Sequence, residues 1–123
     1  MSNYGGQPEI SVADPVEGIC VVAVACEIDL LSARTLQQVL ARELGAGHQA
    51  VLVDLSECEF MGSSGLAALV ASRGRARTGG TMFALAGMNR SVARSVEATG
   101  LEPLFDIYPE ADDAAAALRG RKR

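Results

Sequence analysis

Short apolar blocks, separated by polar and glycine-containing turns, run along most of this chain. Residues 19–25 and 51–55 are rich in β-branched side chains, which predicts strands that are covered on both faces. Between these blocks, apolar residues recur at the three- and four-residue intervals of a helix, namely Ala33, Leu36, Leu40 and Leu44. The pattern predicts a strand, a helix and a second strand that form a parallel, right-handed crossover unit.

Small polar residues and glycines mark the boundaries of the predicted helices. Ser32 is placed to cap the first helix, and Gly45 is placed to end it. Ser63 or Ser64 is the candidate N-cap of a second helix, which the glycine pair at 79–80 ends. The second helix therefore begins in a serine-containing turn that directly follows a buried strand.

Shorter elements complete the prediction on both sides of this unit. Ile10 and Val12 alternate with polar residues and predict a strand that forms a hairpin with residues 19–25. Further along, we expect a strand at 82–86, a helix at 91–99, a strand or extended segment at 104–108 and a helix from Pro109 onward.

Length and composition indicate one globular α/β domain. The chain has 123 residues, of which 49% are hydrophobic. We expect a flexible lead-in at 1–8, the domain at 9–119 and a basic tail at 120–123. The net charge of −4 disfavours nucleic-acid binding. The longest apolar run, 19–26, is shorter than the roughly 20 residues of a membrane span, and no secretory signal is recognisable, so we expect a cytoplasmic protein.

The cysteines and the histidine do not form a metal-binding motif. Cys20, Cys26 and Cys58 include no C-x-x-C pair, and His48 is the single histidine. Two cysteines on one strand, six residues apart, are separated by roughly 20 Å, beyond disulfide reach. We therefore expect buried reduced thiols and no metal site, and we expect His48 to be a solvated loop residue.

A catalytic interpretation of the serine turn has little support. The segment GSSG at 62–65 is one residue shorter than the G-x-S-x-G nucleophile elbow, and no histidine is placed to serve it. The glycines also do not assemble a phosphate-binding loop. The chain is therefore predicted not to be an enzyme, and from the residues alone GSSG indicates no more than the start of a capped helix.

Four segments resemble a known family: EIDLLSA at 27–33, VLVDLSECEFMGSSGLAALV at 51–70, TMFALAG at 81–87 after a glycine pair, and GLEPLFDIYP at 100–109 before an alanine-rich helix. They are similar to the STAS domain of bacterial anti-sigma factor antagonists, and the resemblance covers nearly the whole chain. It implies a single STAS domain of the α/β class, with a mixed four- to five-stranded sheet and about four helices packed mainly on one side.

The resemblance also implies a function. Members of the family bind an anti-sigma factor that is also a serine kinase, and so release a sigma factor. The kinase uses ATP to phosphorylate a serine that corresponds to Ser63, and a phosphatase reverses the modification. The partner-binding residues implied in this chain are Asp29, Gly62, Ser63, Ser64, Gly65 and Leu66. No cofactor and no metal are implied.

One departure from the family pattern matters for function. Gly62 stands where the family usually has aspartate before its serine pair. Two functions therefore stay open: an antagonist switched off by phosphorylation of Ser63, and a divergent STAS scaffold or transport-associated subunit that docks a partner without phosphorylation. The identities of the sigma factor and its regulators, and the oligomeric state, are left open as well.

Overall fold

Five strands form one sheet in which each strand pairs with its neighbour in the sequence. In the computed structural model, which describes residues 9–121, the strands are β1 (Ile10–Val12), β2 (Ile19–Val24), β3 (Ala50–Asp54), β4 (Met82–Ala86) and β5 (Asp106–Tyr108). The helices are α1 (Leu30–Leu44), α2 (Ser63–Gly79), α3 (Arg90–Ala98) and α4 (Ala111–Arg119), and a 3-10 turn spans Glu102–Leu104. The predicted lead-in at 1–8 and the last two residues of the predicted tail lie outside the described residues.

The sheet is mixed. β1 is antiparallel to β2, whereas β2, β3, β4 and β5 are parallel to one another. The predicted hairpin and the predicted parallel unit around α1 are therefore confirmed. None of the helices within residues 9–121 combines the length and apolarity needed to cross a membrane.

Because β2 to β5 are parallel, these strands all begin at one side of the sheet and all end at the opposite side. The strands β2, β3 and β4 end at Val24, Asp54 and Ala86, and we call this side the carboxyl edge. The opposite side, where Ile19 and Ala50 begin their strands, is the amino edge. Each of α1, α2 and α3 starts at the carboxyl edge, because each one follows the end of a parallel strand.

Helices cover both faces of the sheet. Because side chains of a strand alternate between faces, Val22, Val53 and Leu85 point into the main core under α1, α2 and α3. The other face presents small residues such as Ala84, on which Leu118 of α4 packs. Three of the four helices thus lie on one face, and the predicted α/β class with helices mainly on one side is confirmed.

The three cysteines are free thiols, as predicted. Cys20 and Cys58 are buried, whereas Cys26 is partly exposed. Burial, reinforced by the negative charge of Glu43, raises the pKa of the Cys20 thiol to about 11. Burial, with the neighbouring carboxylate of Glu9, raises the pKa of the Cys26 thiol to about 11 as well. These thiols are therefore protonated and weakly nucleophilic at neutral pH.

Candidate functional site

Two turns at the carboxyl edge are joined by backbone hydrogen bonds. The N–H of Ile28 donates to the carbonyl of Phe60 at 2.9 Å, and the N–H of Gly62 donates to the carbonyl of Ile28 at 3.0 Å. These bonds form a parallel bridge between Ile28 and Met61. As a result, the turn that opens α1 and the turn that opens α2 lie side by side.

Gly65 allows the start of α2 to approach this bridge. A Cβ atom at Gly65 would lie 2.5 Å from Cγ of Met61 and 2.6 Å from Cγ2 of Ile28, which is closer than real Cβ contacts. Leu66, the next residue, is only 4% exposed and belongs to the core. Among the predicted site residues, Gly65 and Leu66 are therefore buried and hold the turn that opens α2 against the core.

The N-terminus of α2 has no side-chain cap. Gly62 is the N-cap residue, with φ −80° and ψ −179°, and no side chain within residues 9–121 caps the helix. The prediction that Ser63 or Ser64 would be the N-cap is therefore wrong, because Ser63 is already the first helical residue. The carbonyl of Gly62 accepts from the N–H groups of Gly65 at 3.0 Å and Leu66 at 3.2 Å.

Ser63 and Ser64 consequently lie in the first turn, where backbone N–H groups have no intrahelical acceptor. The side chain of Ser63 is exposed, and Ser64 is partly buried. Free N–H groups and the positive end of the helix dipole make such a turn favourable for an anion. The turn can accept a negative charge on Ser63 without loss of its own hydrogen bonds.

The N-terminus of α1, in contrast, is fully capped by its own side chains. The N–H of Ser32 donates to Oδ1 of Asp29 at 2.9 Å, and the N–H of Asp29 donates to Oγ of Ser32 at 2.9 Å. This reciprocal capping box makes Asp29 the N-cap and places Ser32 at the third helical position. The prediction that Ser32 caps α1 is therefore wrong, because the helix already begins at Leu30.

The capping box also lowers the pKa of Asp29. The donated N–H of Ser32, followed by the Ser32 hydroxyl, holds the pKa of the exposed Asp29 carboxyl below its ordinary value. Asp29 is thus ionised at neutral pH. Because the Ile28 bridge joins the two turns, this negative charge lies next to the turn that carries Ser63.

Exposed apolar side chains flank the two turns. Leu30 and Leu31, in the first turn of α1, are 72% and 74% exposed, and Phe60, just before Gly62, is 48% exposed. Only one other large apolar side chain of the described part is exposed. It is Val16, which lies in the hairpin turn at the amino edge. We call Leu30, Leu31 and Phe60 the apolar rim. Leu31 also lines a cleft together with Asp29.

Asn89 fastens the loop that precedes α2. Its Oδ1 accepts from the N–H of Val92 at 2.8 Å and so caps α3. Its amide nitrogen donates to the carbonyls of Cys58 at 3.4 Å and Glu59 at 3.3 Å. One side chain therefore ties the start of α3 to the loop before Ser63, and the three helix starts form one connected edge.

The geometry separates the single histidine from the serines. His48 precedes β3 at the amino edge, whereas Ser63 follows that strand at the carboxyl edge. Nε2 of His48 lies 2.9 Å from Oε1 of Glu43, and its side chain is 14% exposed. The prediction of a solvated His48 is wrong, because Glu43 holds the imidazole against the domain. Ser63 has no imidazole within the described residues to activate it.

Comparisons with known proteins agree with this geometry. The family model described as the STAS domain matches residues 11–114. The chain is 29% identical over 111 residues to the anti-sigma-F factor antagonist RsfB of Mycobacterium tuberculosis strain H37Rv, which covers 90% of this chain and 89% of that protein.

Solved structures give the same result. An anti-sigma factor antagonist from Mycobacterium paratuberculosis matches with a TM-score of 0.82 and 34% identity, over 89% of this chain and 92% of that one. The STAS domain protein from Planctomyces limnophilus, an anti-sigma-factor antagonist by name, shares the fold with a TM-score of 0.74 at 19% identity, over 89% and 97% of the two chains. The chain therefore belongs to the STAS domain family, and the resemblance expected from its sequence is confirmed.

Proposed function

We propose that this protein is a non-enzymatic, cytoplasmic anti-sigma factor antagonist. It binds an anti-sigma factor that is also a serine kinase, which releases a sigma factor, and phosphorylation of Ser63 ends the binding. The observation that carries the proposal is the exposed Ser63 at the uncapped start of α2, beside the apolar rim. Relatives named as anti-sigma factor antagonists support the same function.

The apolar rim supplies the attraction for a partner. Leu30, Leu31 and Phe60 expose most or about half of their surface, and covering such side chains is favourable by about 1.5–3 kcal/mol each when burial is complete. A partner that covers the rim also covers the turns of Asp29 and Ser63, because the Ile28 bridge holds them beside it. Partner binding and access to Ser63 are therefore linked.

Phosphorylation of Ser63 reverses this attraction. The phosphate adds about −1.5 to −2 charge and faces the free N–H groups of α2, so the isolated domain tolerates it. Against a docked partner, the same charge is desolvated, and it lies in the turn beside the one that carries ionised Asp29. A mispaired charge at an interface costs about 3–5 kcal/mol, or roughly 10² to 5 × 10³ in affinity.

Gly62 bears on both functions left open by the sequence. A Cβ atom there would lie 3.5 Å from the Ile28 carbonyl oxygen and 3.7 Å from Cε2 of Phe60, which are ordinary contacts. The backbone therefore does not demand glycine, and the missing aspartate removes a carboxylate that could cap α2. The open cap favours phosphate on Ser63, whereas kinase recognition that needs the carboxylate would favour a docking scaffold without phosphorylation.

Incubation with a purified anti-sigma factor kinase and ATP, followed by intact-mass analysis, tests the proposal. We expect one phosphoryl group on the wild-type protein and on the Ser64→Ala control, and none on Ser63→Ala. A protein phosphatase should remove it and restore binding. Stable binding of the kinase without phosphoryl transfer would support the scaffold. The absence of both binding and transfer across the anti-sigma factors of the host would contradict the antagonist.

A further inference from the structure

Three side chains of different chemistry converge at the amino edge, away from the site of Ser63. They are Cys20 on β2, Glu43 in the last turn of α1 and His48 in the loop that leads to β3. The thiol of Cys20 donates to Oε1 of Glu43 at 3.6 Å, and Nε2 of His48 lies 2.9 Å from the same oxygen. All three side-chain atoms lie within 4.8 Å of one another.

We propose that Cys20, Glu43 and His48 bind a divalent transition-metal ion of the zinc class, with a water molecule as the fourth ligand. Zinc binds cysteine sulfur at about 2.3 Å, and histidine nitrogen or carboxylate oxygen at about 2.0–2.2 Å. In a tetrahedral site these bond lengths place the ligand atoms roughly 3.3–3.6 Å apart. The separations of 3.6 Å from the Cys20 sulfur and 2.9 Å from Nε2 of His48 to Oε1 of Glu43 are close to this arrangement.

The charges balance around such an ion. The metal–sulfur bond forms as the Cys20 thiol releases its proton to solvent, the Glu43 carboxylate is already ionised, and His48 binds through the lone pair of neutral Nε2. One thiolate and one carboxylate neutralise the two positive charges of the ion. Neutrality matters here because Cys20 is fully buried, and Glu43 and His48 expose only 13% and 14% of their side chains.

Arg42 does not compete with a metal ion for Oε1 of Glu43. Arg42 pairs with the other carboxylate oxygen, Oε2, at 3.1 Å, and its own side chain is 68% exposed, so solvent screens its charge. Gly47 has φ 88°, a conformation that favours glycine, and this turn carries His48 back to Glu43 across the end of α1. The loop thus presents the imidazole in a fixed direction.

A metal ion at this position would join three elements of the domain. It would link the start of β2, the end of α1 and the loop before β3, all at the edge opposite Ser63. The structural consequence is a stabilised amino edge with the partner site left free. Metal binding and partner binding are therefore expected to be independent of each other.

Titration of Co²⁺ into the tag-free, fully reduced, full-length protein tests the proposal, because a cobalt–thiolate bond gives a charge-transfer absorption band. We expect one equivalent to bind with this band, and Zn²⁺ to displace it. The variants Cys20→Ser and His48→Gln should each weaken binding by about 100-fold or more, since loss of even an indirect contact to a metal ligand costs about 10- to 100-fold. The matched control Cys58→Ser removes a buried thiol outside the cluster and should bind as the wild type does.

Thermal unfolding gives an independent measurement that does not depend on the buried Cys20. At a Zn²⁺ concentration about 100-fold above Kd, Tm of the wild type should rise by roughly 5–10 °C. His48 lies in a loop, so His48→Gln should fold with an unchanged circular dichroism spectrum and show no such rise. Absence of the charge-transfer band in the wild type, or a band that persists at full affinity in His48→Gln, would overturn the proposal.

Discussion

Ser63 and Asp29 lie at neighbouring helix N-termini, which both favour negative charge, but only the one at Asp29 already carries it. Asp29 completes a capping box with Ser32, so the N-terminus of α1 is already satisfied by a carboxylate. Ser63 begins a helix whose N-cap, Gly62, offers no side chain. At the scale of single residues, a negative charge is therefore built into one turn and can be added to the other.

The variants Ser63→Ala and Ser63→Asp should separate loss of the serine hydroxyl from addition of a negative charge. Ser63→Ala should keep the affinity for the anti-sigma factor, because it adds no charge. Ser63→Asp should raise Kd by about 100-fold, because a carboxylate at the covered turn is desolvated. Isothermal titration calorimetry measures both values, with Ser91→Asp at the exposed start of α3 as the matched control. Equal affinity of the two Ser63 variants would count against the switch.

The capping box makes a prediction about pH. Because hydrogen bonds from Ser32 lower the pKa of Asp29 in the folded state, ionised Asp29 stabilises the fold above its unfolded pKa. That stabilisation is lost as the pH falls through the lower, folded pKa. Carboxyl-carbon NMR should show Asp29 titrating below its ordinary range, and Ser32→Ala should shift the midpoint upward. Because Ser32→Ala keeps the backbone N–H that donates to Asp29, an unshifted midpoint would show that the Ser32 hydroxyl does not contribute to the lowered pKa.

At the scale of secondary-structure elements, the Ile28–Met61 bridge is the contact that joins the starts of α1 and α2. Gly65 maintains it, because the space above Ile28 and Met61 is too small for a side chain. In the proposed function, partner recognition therefore depends on Gly65, a residue that is itself buried.

Gly65→Ala tests this dependence. The new Cβ would force Met61 and Ile28 apart, and overpacking of this kind costs about 1–3 kcal/mol in the free energy of unfolding. Gly74→Ala is the control, since Gly74 lies in the same helix with nothing within 4 Å of its Cβ position. We expect Gly74→Ala to stabilise by about 0.5–1 kcal/mol. Urea unfolding measures both, and a Gly65→Ala variant as stable as the wild type would refute the steric argument.

Periodicity predicts the order of these elements, but their first residues depend on contacts between distant segments. The apolar stripe from Ala33 to Leu44 indicates α1 correctly, because burial of one helix face is encoded locally. Serine is a preferred N-cap residue, and the prediction of the caps at Ser32, Ser63 and Ser64 rested on that preference. The Ile28 bridge instead fixes where the chain enters each helix, and this places Asp29 and Gly62 at the caps.

At the scale of the whole molecule, the apolar rim places three exposed apolar side chains at one end of the domain. Leu31→Ser should weaken binding of the anti-sigma factor by about tenfold or more, because the variant no longer buries an exposed leucine side chain against the partner. The free energy of unfolding should change by no more than about 0.5 kcal/mol. Val16→Ser removes a side chain of similar exposure, 64%, at the amino edge and should leave affinity unchanged. A loss of affinity in both variants would argue against a specific surface.

Sequence reasoning placed Asp29, Gly62 and Ser63 in one site but missed two other groups. The rim has a weak signal: successive residues of a helix lie about 100° apart, so Leu30 and Leu31 cannot both follow the buried stripe. The cluster of Cys20, Glu43 and His48 at the amino edge has almost no signal in the sequence. Cys20 and Glu43 are 23 residues apart and Glu43 and His48 are five apart, a spacing that matches no metal motif.

The order of the strands has a consequence for synthesis on the ribosome. Since every strand pairs only with its sequence neighbours, the sheet can grow one strand at a time from the N-terminus, with no gap left for a later segment to fill. Ile28, Met61 and the start of α2 all precede β4 in the chain. We expect the recognition surface to take shape in the nascent chain, with β4, β5 and α4 added afterwards as its support.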